Sequence, residues 1–205
     1  MTRAAATICE VDFGRTNLYT QEVDTTMTDA RTPPASWPRA AASGLVEVER
    51  HLFRLSDPEA PALRQAPLPS EESPVTTGAG PDLALFHSVL EDGAVHADLE
   101  LWEHPAPEPP HPWDLTVVHE VEIAGPHIAL VSGTSSLGTE CVLPVPTDTY
   151  VLDARCRDRA AAEAAFLAWL DEEEEEGAEP TTESWPHDGI ERWLVRLWPT
   201  RPTTA

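Results

Sequence analysis

The sequence predicts a mainly β fold, an antiparallel sandwich or open barrel, with one acidic helix inserted before the last strand. Apolar and polar residues alternate in short stretches between residues 45 and 199, as they do in strands that bury one face. Pro, Gly and Asp interrupt the chain between these stretches and indicate turns. A series of at least about five such strands is typical of β-sandwiches and barrels.

The chain has 205 residues, which is enough for one hydrophobic core. We therefore expect a single β-rich domain over residues 44–200. Residues 1–43 are expected to be disordered or loosely attached, because a polar run and a Pro-rich piece interrupt their short apolar clusters. A strand over residues 8–13 at a sheet edge is an alternative for part of this segment. Either Met1 or Met27 could begin the native chain.

The first strand of the domain is predicted over residues 45–55, where Val46 and Val48 share one face. The alternation shifts by one residue at His51, which indicates a β-bulge. Residues 59–80 are rich in Pro, Ser and Gly and are expected to form a loop.

Asp92-Gly93 predicts a hairpin between a strand at 83–90 and a returning strand, because a tight turn needs the positive φ that glycine adopts freely. The returning strand has the clearest alternation in the chain. Its inward positions are Val95, Ala97, Leu99 and Leu101, and its outward positions are His96, Asp98, Glu100 and Trp102.

Further strands follow at 115–123, 127–131, 141–145 and 150–156, with Pro-rich or Gly-rich turns between them. The first of them places Leu115, Val117, Val121 and Ile123 on one face. The final strand is expected at 190–198, where Pro199 ends it.

One helix is predicted over residues 159–175, with Asp158 as its N-cap and an apolar stripe of Phe166, Leu167 and Leu170. It ends in an acidic run, where the negative end of the helix dipole adds to the charge repulsion. We therefore expect the last turn to fray at neutral pH. The acidic run consists of Asp171, Glu172, Glu173, Glu174, Glu175 and Glu176.

The chain has 36 acidic and 13 basic residues, all of the latter arginine, and a formal net charge of -23. Such a surface repels nucleic acids and anionic membranes, whereas it attracts a basic protein or a cation. We therefore expect a basic protein partner, no nucleic acid and no membrane. No stretch has the roughly 20 apolar residues that span a bilayer, and charged residues interrupt the first 21 residues, so we expect a cytoplasmic protein.

No catalytic or metal motif is complete. His119-Glu120 would need a second histidine at position 123 on a helix to form a zinc-protease site, and that position is Ile123. His104, Glu108 and His111 could chelate a cation but lie in a Pro-rich loop, which we expect to be solvated. We predict no metal and no cofactor.

The remaining reactive groups also lack a signature. Cys9, Cys141 and Cys156 are odd in number and have no CxxC spacing, which favours free thiols over a disulfide framework. Residues 132–138 resemble a phosphate-binding loop only in their Gly and Ser content, and a simple turn is expected there.

Tryptophan is the best signal for a binding surface. Of the seven in the chain, Trp169 and Trp193 are explained by core packing on the predicted helix and strand. Trp102, Trp113 and Trp185 are the candidate binding residues, because exposed aromatic residues are favoured at the centres of protein interfaces. The acidic run at 171–176 would form the charged rim of this surface.

Several short motifs resemble a group of small uncharacterised bacterial proteins. They are Trp113-Asp114 before a strand that ends in Glu120, the segments 143–150 (LPVPTDTY) and 155–158 (RCRD), and the closing 193–199 (WLVRLWP). The resemblance covers residues 45–199. More distantly, the chain is similar to the competence protein J family, which implies a β-sandwich that binds and restrains a secreted nuclease.

Two hypotheses on function follow. The first is a non-enzymatic protein-binding module, such as an acidic inhibitor or immunity-type partner of a basic protein, for example a nuclease. The alternative is a small-molecule or metal-dependent enzyme whose sandwich cavity is lined by His87, His96 and His119.

Overall fold

The computed structural model describes residues 6–12, 15–21, 37–57, 67–78, 82–132, 141–176 and 185–201. These residues form twelve strands and one helix, α1 (Arg159–Glu176), which precedes the last strand as predicted. The strands are β1 (Ala6–Asp12), β2 (Arg15–Gln21), β3 (Ala40–Glu49), β4 (Leu52–Ser56), β5 (Val75–Thr77), β6 (Asp82–His87), β7 (Asp92–Leu101), β8 (Leu115–Ile123), β9 (His127–Ser132), β10 (Cys141–Pro144), β11 (Asp148–Arg157) and β12 (Arg192–Pro199).

The strands form one sheet in the order β10-β9-β4-β3-β7-β12-β11-β8, which curls around a single core as an open barrel. This confirms the predicted mainly β class. Most neighbouring strands are antiparallel, as expected, but the pairing is mixed, because β12 runs parallel to β7 and β1 runs parallel to β3. Parallel neighbours need a long connection, and the segment between β7 and β12, which includes α1, supplies one.

The core is built from the inward faces that the alternation predicted. Val95, Ala97, Leu99 and Leu101 of β7 are all buried. The centre is aromatic: Phe53 stacks on Phe86 with ring centroids 4.7 Å apart, and Trp193 meets both rings edge-on. Trp193 is fully buried, which confirms its expected place in the core.

Residues 45–55 form a hairpin rather than one bulged strand. Glu49 of β3 pairs with Leu52 of β4, and the two turn residues between them, Arg50 and His51, have φ values of 53° and 66°. Two positive φ values are typical of a type I′ hairpin turn, so the shift in alternation marks a chain reversal. The predicted bulge is therefore wrong.

The sheet also includes residues assigned from the sequence to the N-terminal segment. β3 begins at Ala40, which pairs with Leu101, and β1 pairs with β2 and with residues 41–43 of β3. Residues 22–36 lie outside the described part of the chain. The division at residue 43 and the choice between Met1 and Met27 stay predictions.

The hairpin predicted at Asp92-Gly93 is absent. β6 pairs with β4 and β5, whereas β7 pairs with β3 and β12. Gly93 does have a positive φ of 129°, but it lies within β7. Its conformation permits the close approach of His187 and does not form a tight turn.

Helix α1 buries a different face from the predicted one. Ala162 is fully buried and Phe166 packs against the core, whereas Leu167 and Leu170 are 52% and 39% exposed. Asp158 precedes the helix with a φ of 63°, unlike the extended N-cap conformation, and its carboxylate lies 3.5 Å from Arg157 Nε. The helix includes the whole acidic run. In the described part of the chain, no helix is long and apolar enough to cross a membrane.

Candidate protein-binding site

An aromatic cluster lies where α1 meets the turn before β12. Trp169 of the helix stacks on Trp185 of the turn, with ring centroids 5.2 Å apart and ring planes 12° from parallel. Phe166 lies one helical turn before Trp169 and packs beneath it against the core. Trp169 and Trp185 are half-buried, so each also meets solvent.

His187 lies beneath the two tryptophans and is completely buried. Its ring centroid is 5.1 Å from that of Phe166, 5.6 Å from that of Trp169 and 5.2 Å from that of Trp185. Neither ring nitrogen makes a hydrogen bond of regular geometry, although the backbone of Asp92 interacts with the ring as a hydrogen-bond partner. Burial lowers the pKa of His187, while Asp188 and the backbone of Asp92 act in the opposite direction.

The 185–190 turn is fastened to β7 through Asp188. One carboxylate oxygen of Asp188 accepts from the Ala94 N–H at 2.8 Å, and the other accepts from the Trp185 N–H at 2.8 Å. The Gly189 N–H donates to the Ala94 carbonyl, also at 2.8 Å. These bonds hold Trp185 in place against α1.

Helix α1 also carries two exposed leucines, Leu167 and Leu170, and ends in the acidic run. We define the α1 surface as Leu167, Trp169, Leu170 and Trp185 together with the acidic run at 171–176. Since an α-helix repeats every 3.6 residues, Leu167 and Leu170 share one side of α1, which is a different side from the one that carries Trp169. The exposed apolar residues and the acidic run are therefore parts of one helix.

The structure does not bring the three predicted tryptophans together. Trp102 is buried at the end of β7 opposite Gly93, and its Nε1 donates to Glu100 at 2.8 Å. Trp113 lies beneath the guanidinium of Arg157, 5.3 Å from the ring centroid. Of the three, only Trp185 belongs to the α1 surface, and its partner is Trp169, which the sequence assigned to the core.

Sequence reasoning missed His187 and the exposed leucines. The i, i+3 spacing of Phe166 and Trp169 was an available signal for a common helix face. Nothing in the sequence indicated that Trp185, sixteen positions after Trp169, would stack on it. The two tryptophans belong to different elements, and residues 177–184 between them lie outside the described residues.

A second cluster surrounds the fully buried carboxylate of Glu191. It accepts hydrogen bonds from Ser88 Oγ at 2.6 Å, from the Val89 N–H at 3.1 Å and from Trp193 Nε1 at 2.9 Å. Arg159 Nη1 lies 3.6 Å away. Burial, followed by the Glu191 charge, raises the pKa of the neighbouring Cys156 thiol. This cluster joins β12, α1 and the segment after β6, and its thiol is not activated for nucleophilic chemistry.

A third cluster fixes the Pro-rich loop to the outer face of the sheet. Asp153, which is buried, contacts Arg155 Nε at 3.1 Å and forms an ion pair with the buried Arg196. Arg155 also binds both carboxylate oxygens of Glu108 in the loop, and Arg196 donates to the carbonyl of Pro107. Because Glu108 is held by Arg155, it does not form a chelate with His104 and His111, both of which are exposed.

The three histidines of the enzyme hypothesis do not share a cavity. His96 lies on the outer face of β7, bonded to Ser43 at 3.1 Å and 3.6 Å from Asp98, whereas His119 lies on the inner face of β8, paired with Leu152. His87 stacks on His51 at 5.3 Å. A cavity of about 310 Å³ lies at a barrel end and contains none of them. It is lined by Arg39, Ala40, Leu101, Pro126, Pro144, Val145 and Pro146.

Across the described ranges, no three His, Cys, Asp or Glu side chains are grouped as metal ligands. Cys141 and Cys156 are both buried, and Cys141 Sγ lies 3.8 Å from the carbonyl oxygen of Ala97. Apart from Ser132, the Gly-Ser loop at 132–138 lies outside the described residues, as does the side chain of Cys9.

Comparison with known proteins gives two distant structural likenesses. No family model matches the chain, and no curated protein matches it. ComJ from Bacillus subtilis, described as an inhibitor of the DNA degrading activity of NucA, superposes with a TM-score of 0.49 at 11% identity, over 77% of this chain and 95% of ComJ. Crocagin biosynthetic gene J gives a TM-score of 0.48 at 16% identity, over 78% of this chain and 97% of that chain.

Proposed function

We propose that the chain is a non-enzymatic protein-binding module that binds and inhibits a basic protein through the α1 surface. The observation that carries this proposal is the exposure of apolar residues directly beside an unbroken acidic run on one helix. The sequence resemblance to the competence protein J family names a nuclease as one such partner, and a cytoplasmic location stays part of the proposal.

The apolar half of the α1 surface has the composition of an interface centre. Leu167 and Leu170 expose about half and over a third of their area, although Phe166 and Ala162 already anchor the helix to the core. They are therefore not needed to hold α1 in place. Aromatic residues with adjacent aliphatic ones are enriched at the centres of protein interfaces.

The acidic half selects a basic partner. Helix α1 contains one basic residue, Arg159, at its first position, and has no basic residue in its last turn. The acidic run therefore lies at the negative end of the helix dipole without a local counter-charge on the helix. A cationic partner would relieve both the mutual repulsion of the carboxylates and their repulsion by the dipole. The net charge of -23 would also steer a basic protein toward this chain.

Arginine is the partner side chain that fits this surface best. Its planar guanidinium stacks on the face of a tryptophan ring and pairs with carboxylates through several N–H donors. The chain already shows this chemistry internally, where Arg157 lies over Trp113. We expect at least one arginine of the partner to lie over Trp185 or Trp169.

A matched set of variants tests the proposal. Wild-type protein, a Leu167→Ser/Leu170→Ser double variant and a Val118→Ser control would be tagged and used to capture partners from the native cell extract. Val118 is a suitable control because it is 58% exposed on β8, away from α1. Each captured protein would be identified by mass spectrometry, purified, and titrated by calorimetry at two salt concentrations.

The proposal requires a partner rich in Lys and Arg that binds wild type and Val118→Ser alike and binds the double variant at least tenfold more weakly. The activity of the purified partner should fall as wild-type protein is added. Equal binding by the double variant, an acidic partner or an unaffected partner activity would each refute it. Loss of binding at high salt should be partial, because the apolar contacts are not screened.

A further inference from the structure

We propose that His187 is an acid-sensitive latch, which holds Trp185 against Trp169 while its imidazole is neutral and releases the 185–190 turn when the ring is protonated. This inference rests on the proposed function, because it concerns regulation of the same α1 surface. The release itself is a property of the isolated protein and can be measured without a partner.

The first support is the unusual environment of the imidazole. His187 is fully buried, and neither ring nitrogen makes a hydrogen bond of regular geometry, although the backbone of Asp92 interacts with the ring as a hydrogen-bond partner. Nearly all buried polar side chains in proteins are hydrogen-bonded, so this exception requires an explanation. Three aromatic rings and the backbone at Gly93 enclose the imidazole instead. A neutral imidazole can occupy such a site, but a charged one would lack both solvent and a bonded counter-ion.

The charged groups around His187 do not offset its burial. From its own turn, Asp188 favours the protonated ring, and so does the backbone of Asp92 at the start of β7. Helix α1 contributes the rings of Phe166 and Trp169 at this contact. The carboxylate of Asp188 is already occupied by two backbone N–H groups. Burial dominates, so the pKa of His187 lies below its ordinary value of 6.5.

The direction of the pH effect follows from the lowered pKa of His187. The closed turn binds a proton less tightly than the open turn, in which the imidazole meets water. Closure is therefore most stable above pH 6.5 and weakens as the pH falls below it. One proton taken up on opening raises the opening constant by up to tenfold per pH unit, until the lowered pKa is reached.

Opening would disassemble the aromatic part of the α1 surface. Trp185 is fastened to the turn by the Asp188 carboxylate, and Gly189 fastens the turn to β7. When His187 leaves its site, Trp185 leaves Trp169, so the stacked pair is lost. The partner should then be released in an acidic environment and held at neutral pH.

Amide hydrogen exchange by NMR tests the latch in the free protein. The Gly189 amide, which donates to the Ala94 carbonyl, reports whether the turn is docked on β7. An amide in the centre of β12, such as that of Val195, reports global unfolding. Protection factors would be compared at pH 7.0 and 5.5 for wild type, His187→Gln and a His96→Gln control, which removes a half-buried histidine on the outer face of β7.

The latch predicts that Gly189 protection falls about fivefold to tenfold in wild type and in His96→Gln but stays constant in His187→Gln, while Val195 protection is unchanged. Equal loss in all three proteins, or loss that Val195 shares, would overturn it. If His187→Gln does not fold, the ring signals of His187 in wild type decide, because a titration midpoint at or above 6.5 would also overturn the inference. None of these outcomes depends on the partner, so failure of the proposed function would show only in the capture experiment.

Discussion

The imidazole of His187 fills the space that a side chain at Gly93 would need. A β-carbon built at position 93 would lie 2.9 Å from His187 Nε2 and 3.0 Å from its Cδ2, with Asp188 Oδ1 at 3.2 Å. The φ of 129° at Gly93 is also one that residues with a side chain rarely adopt. A glycine within a strand thus permits the turn before β12 to dock on β7.

Replacing Gly93 by alanine should destabilise the protein by about 3 kcal/mol, because backbone strain and a clash with the buried ring act together. Gly189→Ala is the matched control. Its φ of 72° is also positive, but the new β-carbon would meet only the flexible end of Leu45. We expect a cost of about 1–2 kcal/mol there. Urea denaturation measures both, and equal costs would contradict the proposed contact.

The ion pairs on the outer face of the sheet should differ strongly in their contributions to stability. Asp153→Ala would leave Arg196 buried without its carboxylate, at a cost of about 3–5 kcal/mol. Glu108→Ala removes a carboxylate that also binds Arg155 closely, but its side chain is 77% exposed, so the free energy of unfolding should barely change. Thermal unfolding of the two variants tests whether burial or close contact determines how much an ion pair stabilises the protein. A large loss of stability in Glu108→Ala would show that the loop contact matters more than burial.

Cys156 should be inert to thiol reagents in the folded protein. Its pKa is raised by burial and by the Glu191 carboxylate, so the thiol stays protonated at pH 8 and the nucleophilic thiolate is scarcely populated. Peptide mass spectrometry after iodoacetamide treatment at pH 8, with and without denaturant, gives the extent of labelling at each cysteine. We expect Cys156 to be labelled only in denaturant, and rapid labelling of the native protein would contradict the environment described here.

The acidic run should act mainly on the rate of association. Substituting glutamine at the five positions from Glu172 to Glu176 removes charge with little change in side-chain size, so association with the basic partner should slow by about tenfold at low salt. Dissociation should change little, because Leu167, Leu170 and the tryptophans remain. Stopped-flow mixing at several salt concentrations measures both rates. A change confined to dissociation would assign the run to the buried part of the interface.

Much of the fold was predictable, because local pattern determines which face of a strand is buried. The inward residues of β7 and β8 and the helix before the last strand follow from period-two and helical patterning alone. This patterning did not predict which strands pair with each other. Asp92-Gly93 carries a strong hairpin signal, yet Gly93 serves a contact with a residue ninety-four positions later, and local turn chemistry contains no information on such a contact.

The candidate site also combines features that the sequence predicts with features that only the tertiary structure decides. By itself, the sequence determined the acidic run, the net charge, the richness in tryptophan and the absence of a complete catalytic motif, since these are properties of composition and spacing. Only the tertiary structure decided that Trp185 stacks on Trp169, that Trp102 and Trp113 lie elsewhere, and that Leu167 and Leu170 meet solvent. The physical reason is that the packing of Ala162 and Phe166 against the core sets the rotation of α1 about its axis. In that rotation, the neighbouring leucines face solvent. Long-range packing sets such a rotation, and no local pattern of α1 records it.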